Sequence, residues 1–298
     1  MKEEILRLKR EKNAVILAHH YQSLAVKEVA DFVGDSLELS KIASKVDESR
    51  ILLCGVHFMA ETAKILAPNK RVFLPNKEAG CPMADMVTAE RLAEMKIQYP
   101  EAVVVTYVNS SAEVKAISDI CCTSSNAVKI VNSIDAKQIL FVPDQNLGQY
   151  VQSLCPDKEI VLWRGFCPTH HRVTAQEVDA RMAEFNGAVL FAHPECLPEV
   201  LSRADFIGST AQIITACENS DAMEIVIGTE QGVVDTLRLK HPEKIFHLLD
   251  DAMVCKNMKK TTLEDIYYTL SENRGEIFVD ETVSKNAYGA IHRMMERS

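Results

Sequence analysis

Three times along the chain an apolar run stops abruptly at a polar ring. The segments VILAHHYQSLAVKEVADFVGDS (15–36), VVVTYVNSSAEVKAISDICCTS (103–124) and VLFAHPECLPEVLSRADFIGST (189–210) align without a gap. In each, a strand-like run ends in His19, Tyr107 or His193, and two residues on stands Tyr21, Asn109 or Glu195. Ten residues later comes Asp31, Asp119 or Asp205, and five after that a hydroxyl, Ser36, Ser124 or Thr210. A second apolar run follows in each unit (51–55, 139–143, 224–228), then a third (72–75, 160–163, 245–249).

Runs this short, alternating with helix-period stretches such as MAETAKIL (59–66) and VVDTLRLK (233–240), predict βαβ units with parallel, buried strands. The expected fold is α/β: three pseudo-threefold-related three-layer α/β/α domains, each with a short three-stranded parallel sheet, around a central site beyond the carboxyl ends of the strands. The expected boundaries are 1–96, 97–184 and 185–298. The first unit carries an amphipathic N-terminal helix with Ile5, Leu6 and Leu8, the last a C-terminal helix with Ile291, Met294 and Met295 on one face.

The N-terminus lacks the apolar core of a secretion signal, and no apolar run reaches the ~18 residues of a membrane span, so a cytoplasmic protein with no membrane partner is expected. Its 298 residues, 47% hydrophobic and 25% charged, have ordinary globular composition. A net charge of −9 argues against a nucleic-acid partner, which would need clustered Lys and Arg. Nine cysteines in a chain without a signal peptide point to thiols or metal ligands more than to disulfides.

Only three of those cysteines are equivalent by repeat. Cys81, Cys167 and Cys255 follow His19, Tyr107 and His193 by 62, 60 and 62 residues, and each precedes by seven a threonine, Thr88, Thr174 or Thr262, that reads as a helix N-cap. Three thiolates can bind three irons of a [4Fe–4S] cluster and leave the fourth iron open as a Lewis acid. Three-ligand zinc is the rival, although a structural zinc site usually has four protein ligands and a close C-x2–4-C pair, which is missing here. Cys54, Cys121, Cys122, Cys155, Cys196 and Cys217 read as buried thiols.

Residues two apart on an extended chain share a face, so His19 with Tyr21, Tyr107 with Asn109, and His193 with Glu195 are expected to point into one cavity as an acid–base and orienting set. His20 should point away. Ser36, Ser124 and Thr210 read either as N-caps or as helix ends that bind an anion. His170, three residues after Cys167, is a candidate proton carrier; His171, Lys259 and Lys260 read as surface residues.

The motifs LAHHYQ, ADFVGDS, FMAET, CPMAD, VTYVNSSAEVKA, TSSNAV, HPEC, IGST and NMKK, in this order over nearly the whole chain, closely resemble the quinolinate synthase family. The resemblance implies condensation of iminoaspartate with dihydroxyacetone phosphate to quinolinate in NAD biosynthesis, with loss of phosphate and water and no net redox change. It further implies a [4Fe–4S] cofactor held by Cys81, Cys167 and Cys255, with one open iron that coordinates intermediates and polarises a leaving hydroxyl. On the same basis His19, Ser36, Tyr107, Asn109, Ser124, His193, Ser209 and Thr210 would hold substrate, while Tyr21 and Glu195, with His170, would assist proton transfers. A transient contact with an iminoaspartate-supplying enzyme is the implied partnership. His20, His57 and Phe166 stand where the family often has Asn, Asp and His, and the single cysteine in CKNMKKT gives no reason to expect a thiol switch. An iron–sulfur hydro-lyase for another small carboxylate and a non-catalytic metal or anion sensor remain the alternatives.

Overall fold

The computed structural model describes residues 1–298. Its apolar runs form three four-stranded sheets, one per repeat. The first holds β1 (Ala14–His19), β2 (Phe32–Gly34), β3 (Arg50–Cys54) and β4 (Arg71–Phe73), in the order 2-1-3-4. The second has β5 (Val103–Tyr107), β6 (Ile120–Cys122), β7 (Gln138–Val142) and β8 (Glu159–Leu162), ordered 6-5-7-8. In the third, β9 (Val189–Ala192), β10 (Phe206–Ile207), β11 (Glu224–Gly228) and β12 (Ile245–Leu248) are ordered 10-9-11-12. Every pairing is parallel.

Each sheet thus has one strand more than the three-stranded unit expected from the apolar runs. The extra strands, β2, β6 and β10, are two or three residues long and lie at a sheet edge, too short to show any hydrophobic alternation. The repeated aspartate ties the chain entering them to the neighbouring strand. Asp31, Asp119 and Asp205 accept the N–H groups of Ile16, Val104 and Leu190, each at 2.8 Å. Each aspartate's own N–H returns to the carbonyl of that same residue. These aspartates serve the fold, at the end of the sheet away from the polar strand ends.

The helix after each cysteine does not return to its own sheet. Leu92, in the helix Ala89–Gln98, packs with Val104, Leu140 and Val142 of the second sheet. Val178, in Ala175–Glu184, joins Leu190 and Ile225 of the third. Ile266 and Leu270, in Leu263–Glu272, lie with Ile16 and Leu52 of the first. The three repeats therefore close into a ring, and each cysteine sits on a segment crossing from one repeat to the next. Thr88, Thr174 and Thr262 open these helices, accepting the N–H groups of Arg91, Glu177 and Asp265 as the sequence predicts.

The terminal helices finish the packing. Lys2–Glu11 buries Ile5 and Leu8 in the core of the first sheet. Glu281–Glu296 follows the third repeat in sequence but packs against Ala112–Ala116 and Ile120–Cys122 of the second, burying Ala287, Ala290, Ile291 and Met294. No helix is long and apolar enough to cross a membrane.

Candidate active site

In each sheet the strand order reverses beside the first strand, and a crevice opens at the carboxyl ends there. Because the repeats form a ring, the three crevices merge into one cavity of about 340 Å³. The first repeat contributes His19, Tyr21, Ser36 and Cys81, and the second Tyr107, Asn109, Ser124, Cys167 and His170. The third contributes His193, Glu195, Thr210 and Cys255. Of the residues expected to bind substrate, hold metal or move protons, Ser209 alone does not line the cavity: it is fully buried, caps the helix Thr210–Asn219 and donates to Asp35 Oδ2.

Two imidazoles are oriented in the same way in different repeats. His19 Nδ1 accepts the N–H of Tyr21 (3.1 Å), and His193 Nδ1 accepts the N–H of Glu195 (3.3 Å). In the neutral ring this leaves the proton on Nε2. Burial, with neighbouring cationic groups, lowers His19 well below the usual histidine range, and burial lowers His193 to about 3, so both rings are neutral near pH 7. His193 Nε2 lies 3.2 Å from Ser124 Oγ.

A hydrogen-bonded chain joins the remaining polar groups across all three repeats. Tyr107 Oη donates to Glu195 Oε1 (2.7 Å), and Glu195 Oε2 lies 2.8 Å from His170 Nδ1. His170 Nε2 is 3.0 Å from Thr229 Oγ1, which is 2.8 Å from Tyr21 Oη; Thr210 donates to the same phenol. Burial disfavours the Glu195 anion. The imidazoles of His193 and His170, with the hydrogen bonds from His170 and Tyr107, outweigh that, and the carboxyl stays below its ordinary range. Burial and the Glu195 charge hold both phenols well above theirs, so Tyr21 and Tyr107 remain proton donors. Asn109 Oδ1 is buried at the cavity and has no partner within the protein, as an atom reserved for a ligand would be.

The three cysteines fit a group bound through sulfur. Burial raises all three thiols, Cys81 to about 12; the charge of neighbouring sulfurs further opposes ionisation at Cys81 and Cys167, and that of Glu230 does so at Cys255. Backbone N–H groups work the other way: those of Ala84 and Met83 at Cys81, of His170 at Cys167, and of Met258 and Asn257 at Cys255. Soft donors that repel one another as thiolates, each met by backbone N–H groups, suit a shared positive centre. Cys167, His170 and Glu195 also bring ligand atoms within 4.8 Å of one another. His170 Nδ1 already bonds to both Glu195 and Cys167, however, so that trio's capacity is spent internally.

Several expectations need correction. Ser36 and Thr210 are the first residues of their helices, and the caps are their predecessors Asp35 and Ser209. The helix after Ser124 begins only at Ala127 and has Asn126 as its cap. Lys259 is not simply solvated: its Nζ lies 2.9 Å from the fully buried Glu230 and donates to the Tyr21 carbonyl. Lys260 is exposed as expected and donates to the carbonyl of Glu78. His171 is half-buried, lies 2.9 Å from Asn146 Nδ2 and stacks on Phe166 at 4.2 Å. His20 does point away from the cavity, toward Glu38, and His57 is a half-exposed residue opening the helix His57–Leu66.

Reasoning from sequence passed over Asp144, Glu230 and Thr229, and also Arg172 and Lys256, two exposed cations that line the cavity and make no ion pair. Asp144 and Glu230 did leave a trace, since each lies 37 residues after its strand-end residue (144−107 and 230−193). Val56, at the same place in the first repeat (56−19 is also 37), broke the pattern.

The family model described as quinolinate synthetase A protein matches residues 3–296. A quinolinate synthase of Alkaliphilus metalliredigens is 54% identical over 296 residues, covering 99% of this chain and 98% of the relative. One from Clostridium perfringens is 50% identical over 294 residues, with the same coverage. One from Caldicellulosiruptor saccharolyticus is 49% identical over 298 residues, covering 100% of this chain and 98% of the relative.

Proposed function

The chain belongs to the quinolinate synthase family, and from that premise we propose that it condenses iminoaspartate with dihydroxyacetone phosphate to quinolinate, losing phosphate and water. The observation that carries this reading is the single cavity lined both by three repeat-equivalent cysteines and by polar side chains from all three repeats. Cys81, Cys167 and Cys255 would hold a [4Fe–4S] cluster; bound by three thiolates, such a cluster offers an open iron as Lewis acid to an oxygen ligand.

The protein's own groups divide the remaining work. His19, neutral and with its Nδ1 already occupied, donates from Nε2 to a substrate oxygen. Asn109, with its unpartnered Oδ1, accepts from a substrate N–H or O–H. Ser36 and Thr210 stand in the first turn of helices of 8 and 10 residues, where free backbone N–H groups favour carboxylate or phosphate. Ser124, Ser209 and His193 complete that wall, with Ser209 acting from behind by capping the helix that Thr210 opens. Glu195 is the ionised base that takes a proton from the substrate; Tyr107 orients it, and His170 carries that proton on toward Thr229. Tyr21 keeps its proton on Oη and gives it to a developing oxyanion, the loss being relayed through Thr229. Neutral imidazoles, protonated phenols and one carboxylate suffice for imine–enamine exchange and loss of water, neither of which requires an outside oxidant.

An imine of this kind hydrolyses in water, which supports a transient contact with the enzyme that supplies it. A cytoplasmic location is part of the same reading, in keeping with nine free thiols.

The test is turnover. Protein loaded with iron and sulfide without oxygen, given freshly generated iminoaspartate and dihydroxyacetone phosphate, should form quinolinate and phosphate in equal amounts. Fully loaded protein that makes neither overturns the proposal.

A second expectation concerns the cavity rim. Arg172 and Lys256 are its unpaired cations in a chain of net charge −9, so they should attract the dianionic phosphate ester. The double variant Arg172→Gln, Lys256→Gln should lower kcat/KM by about tenfold at low ionic strength, with kcat nearly unchanged and the gap closing as salt is added. A deficit that does not respond to salt would refute steering.

A further inference from the structure

We infer that Asp144 and Glu230 are positioning residues that clamp the Cys167 and Cys255 loops, and that the Cys81 loop is held without such a clamp. The inference rests on the reading of these cysteines as ligands. It adds two buried carboxylates, in equivalent places in two repeats, that set where two of the sulfurs point.

Each carboxylate spends its two oxygens on different segments. Asp144 caps the helix Gln145–Leu154, with Oδ1 accepting the N–H of Leu147 (2.8 Å), while Oδ2 accepts the N–H of Cys167 (3.2 Å). Glu230 caps Gln231–Lys240, with Oε2 accepting the N–H of Gly232 (2.7 Å), while Oε1 accepts the N–H of Cys255 (3.1 Å). Both residues are 0% exposed. Capping alone needs only one acceptor oxygen, which a serine supplies; a buried carboxylate is costly unless both oxygens are used. Fixing the cysteine's N–H fixes the backbone from which its sulfur projects, and supporting contacts of this kind are commonly worth 10–100-fold in metal affinity.

The repeats are unequal in this respect. In the first, the equivalent position is Val56, which caps His57–Leu66 with no side-chain bond. In the third, the clamp extends further: Lys259 pairs with Glu230 and also donates to the Tyr21 carbonyl. Glu230 thereby joins the Cys255 loop to the loop carrying a proposed proton donor. Asp144 has no such cation.

The test uses Asp144→Asn and Glu230→Gln, which keep shape and volume but have one acceptor oxygen for two N–H groups. In protein loaded with iron and sulfide, each should speed iron loss to a chelator about tenfold relative to wild type. In the metal-free full chain, alkylation resolved by peptide should show Cys167 labelled about tenfold faster relative to Cys81 in Asp144→Asn. Glu230→Gln should do the same for Cys255, and neither variant should change the other's cysteine. Asp205→Asn, at the far end of a sheet, should lower Tm while leaving these ratios unchanged. Unaltered ratios in folded variants, or all nine thiols accelerating together, overturn the clamp. If the wild type takes up no iron, the cofactor reading fails, and the labelling ratios still decide the clamp.

Discussion

Glu195→Gln should lower the rate of quinolinate formation by 10²–10⁴-fold, the range typical of losing a positioned general base. Its two oxygens meet Tyr107 Oη at 2.7 Å and His170 Nδ1 at 2.8 Å, and it is fully enclosed with His193. The amide replacement fills the same volume, so the fold and the iron content should survive. One end of the amide can still accept from Tyr107 or His170, but the other presents N–H groups where an acceptor is needed, and neither end can take up a proton. The loss should therefore appear in kcat more than in KM, because in the proposed reading binding falls mainly to His19, Asn109 and the hydroxyl wall. The checks are steady-state kinetics beside iron analysis and circular dichroism. A loaded, folded variant within about threefold of wild type would show that the base lies elsewhere.

The strands that carry this chemistry were legible because β1, β5 and β9 are buried and end sharply in polar residues. The edge strands were not, since Phe32–Gly34 or Phe206–Ile207 is too short for any period to be visible. The ring was also out of reach. The apolar stripe of Ala89–Gln98 says that Leu92 is buried, but not that it is buried against the next repeat's sheet. That crossing is the physical reason the three cysteines line one cavity.

Within the site, repetition did what no single residue could. Strand ends at equal spacing pick out His19, Tyr107 and His193, and equal offsets pick out three cysteines from nine. A role that belongs to one repeat only leaves no such trace. Thr229 has no equivalent doing the same work, because it bridges Tyr21 to a histidine found only after Cys167. Lys259 fails for another reason: a lysine beside other lysines ordinarily faces water, and only the fold reveals the buried carboxylate beneath it.

The cysteines yield the other large effect. Cys81→Ser, Cys167→Ser or Cys255→Ser, each made singly, should abolish quinolinate formation and reduce bound iron and sulfide to a small fraction of wild type, since serine is a harder and much more weakly acidic ligand. The control is Cys217→Ser. Cys217 is fully buried in the core of the third repeat, away from the cavity that the three half-buried cysteines line. A hydroxyl there meets apolar neighbours, and the expected cost is about 1–3 kcal/mol of stability. Its iron content and activity below the melting transition should match wild type. Iron and sulfide analysis of all four variants, purified without oxygen, separates the alternatives. Loss in the three cavity variants alone supports a shared three-thiolate centre, in which removing one ligand strands the other two as mutually repelling sulfurs. Full iron retained in Cys81→Ser or Cys255→Ser, with loss only in Cys167→Ser, would instead point to the Cys167, His170 and Glu195 trio and overturn the three-cysteine assignment.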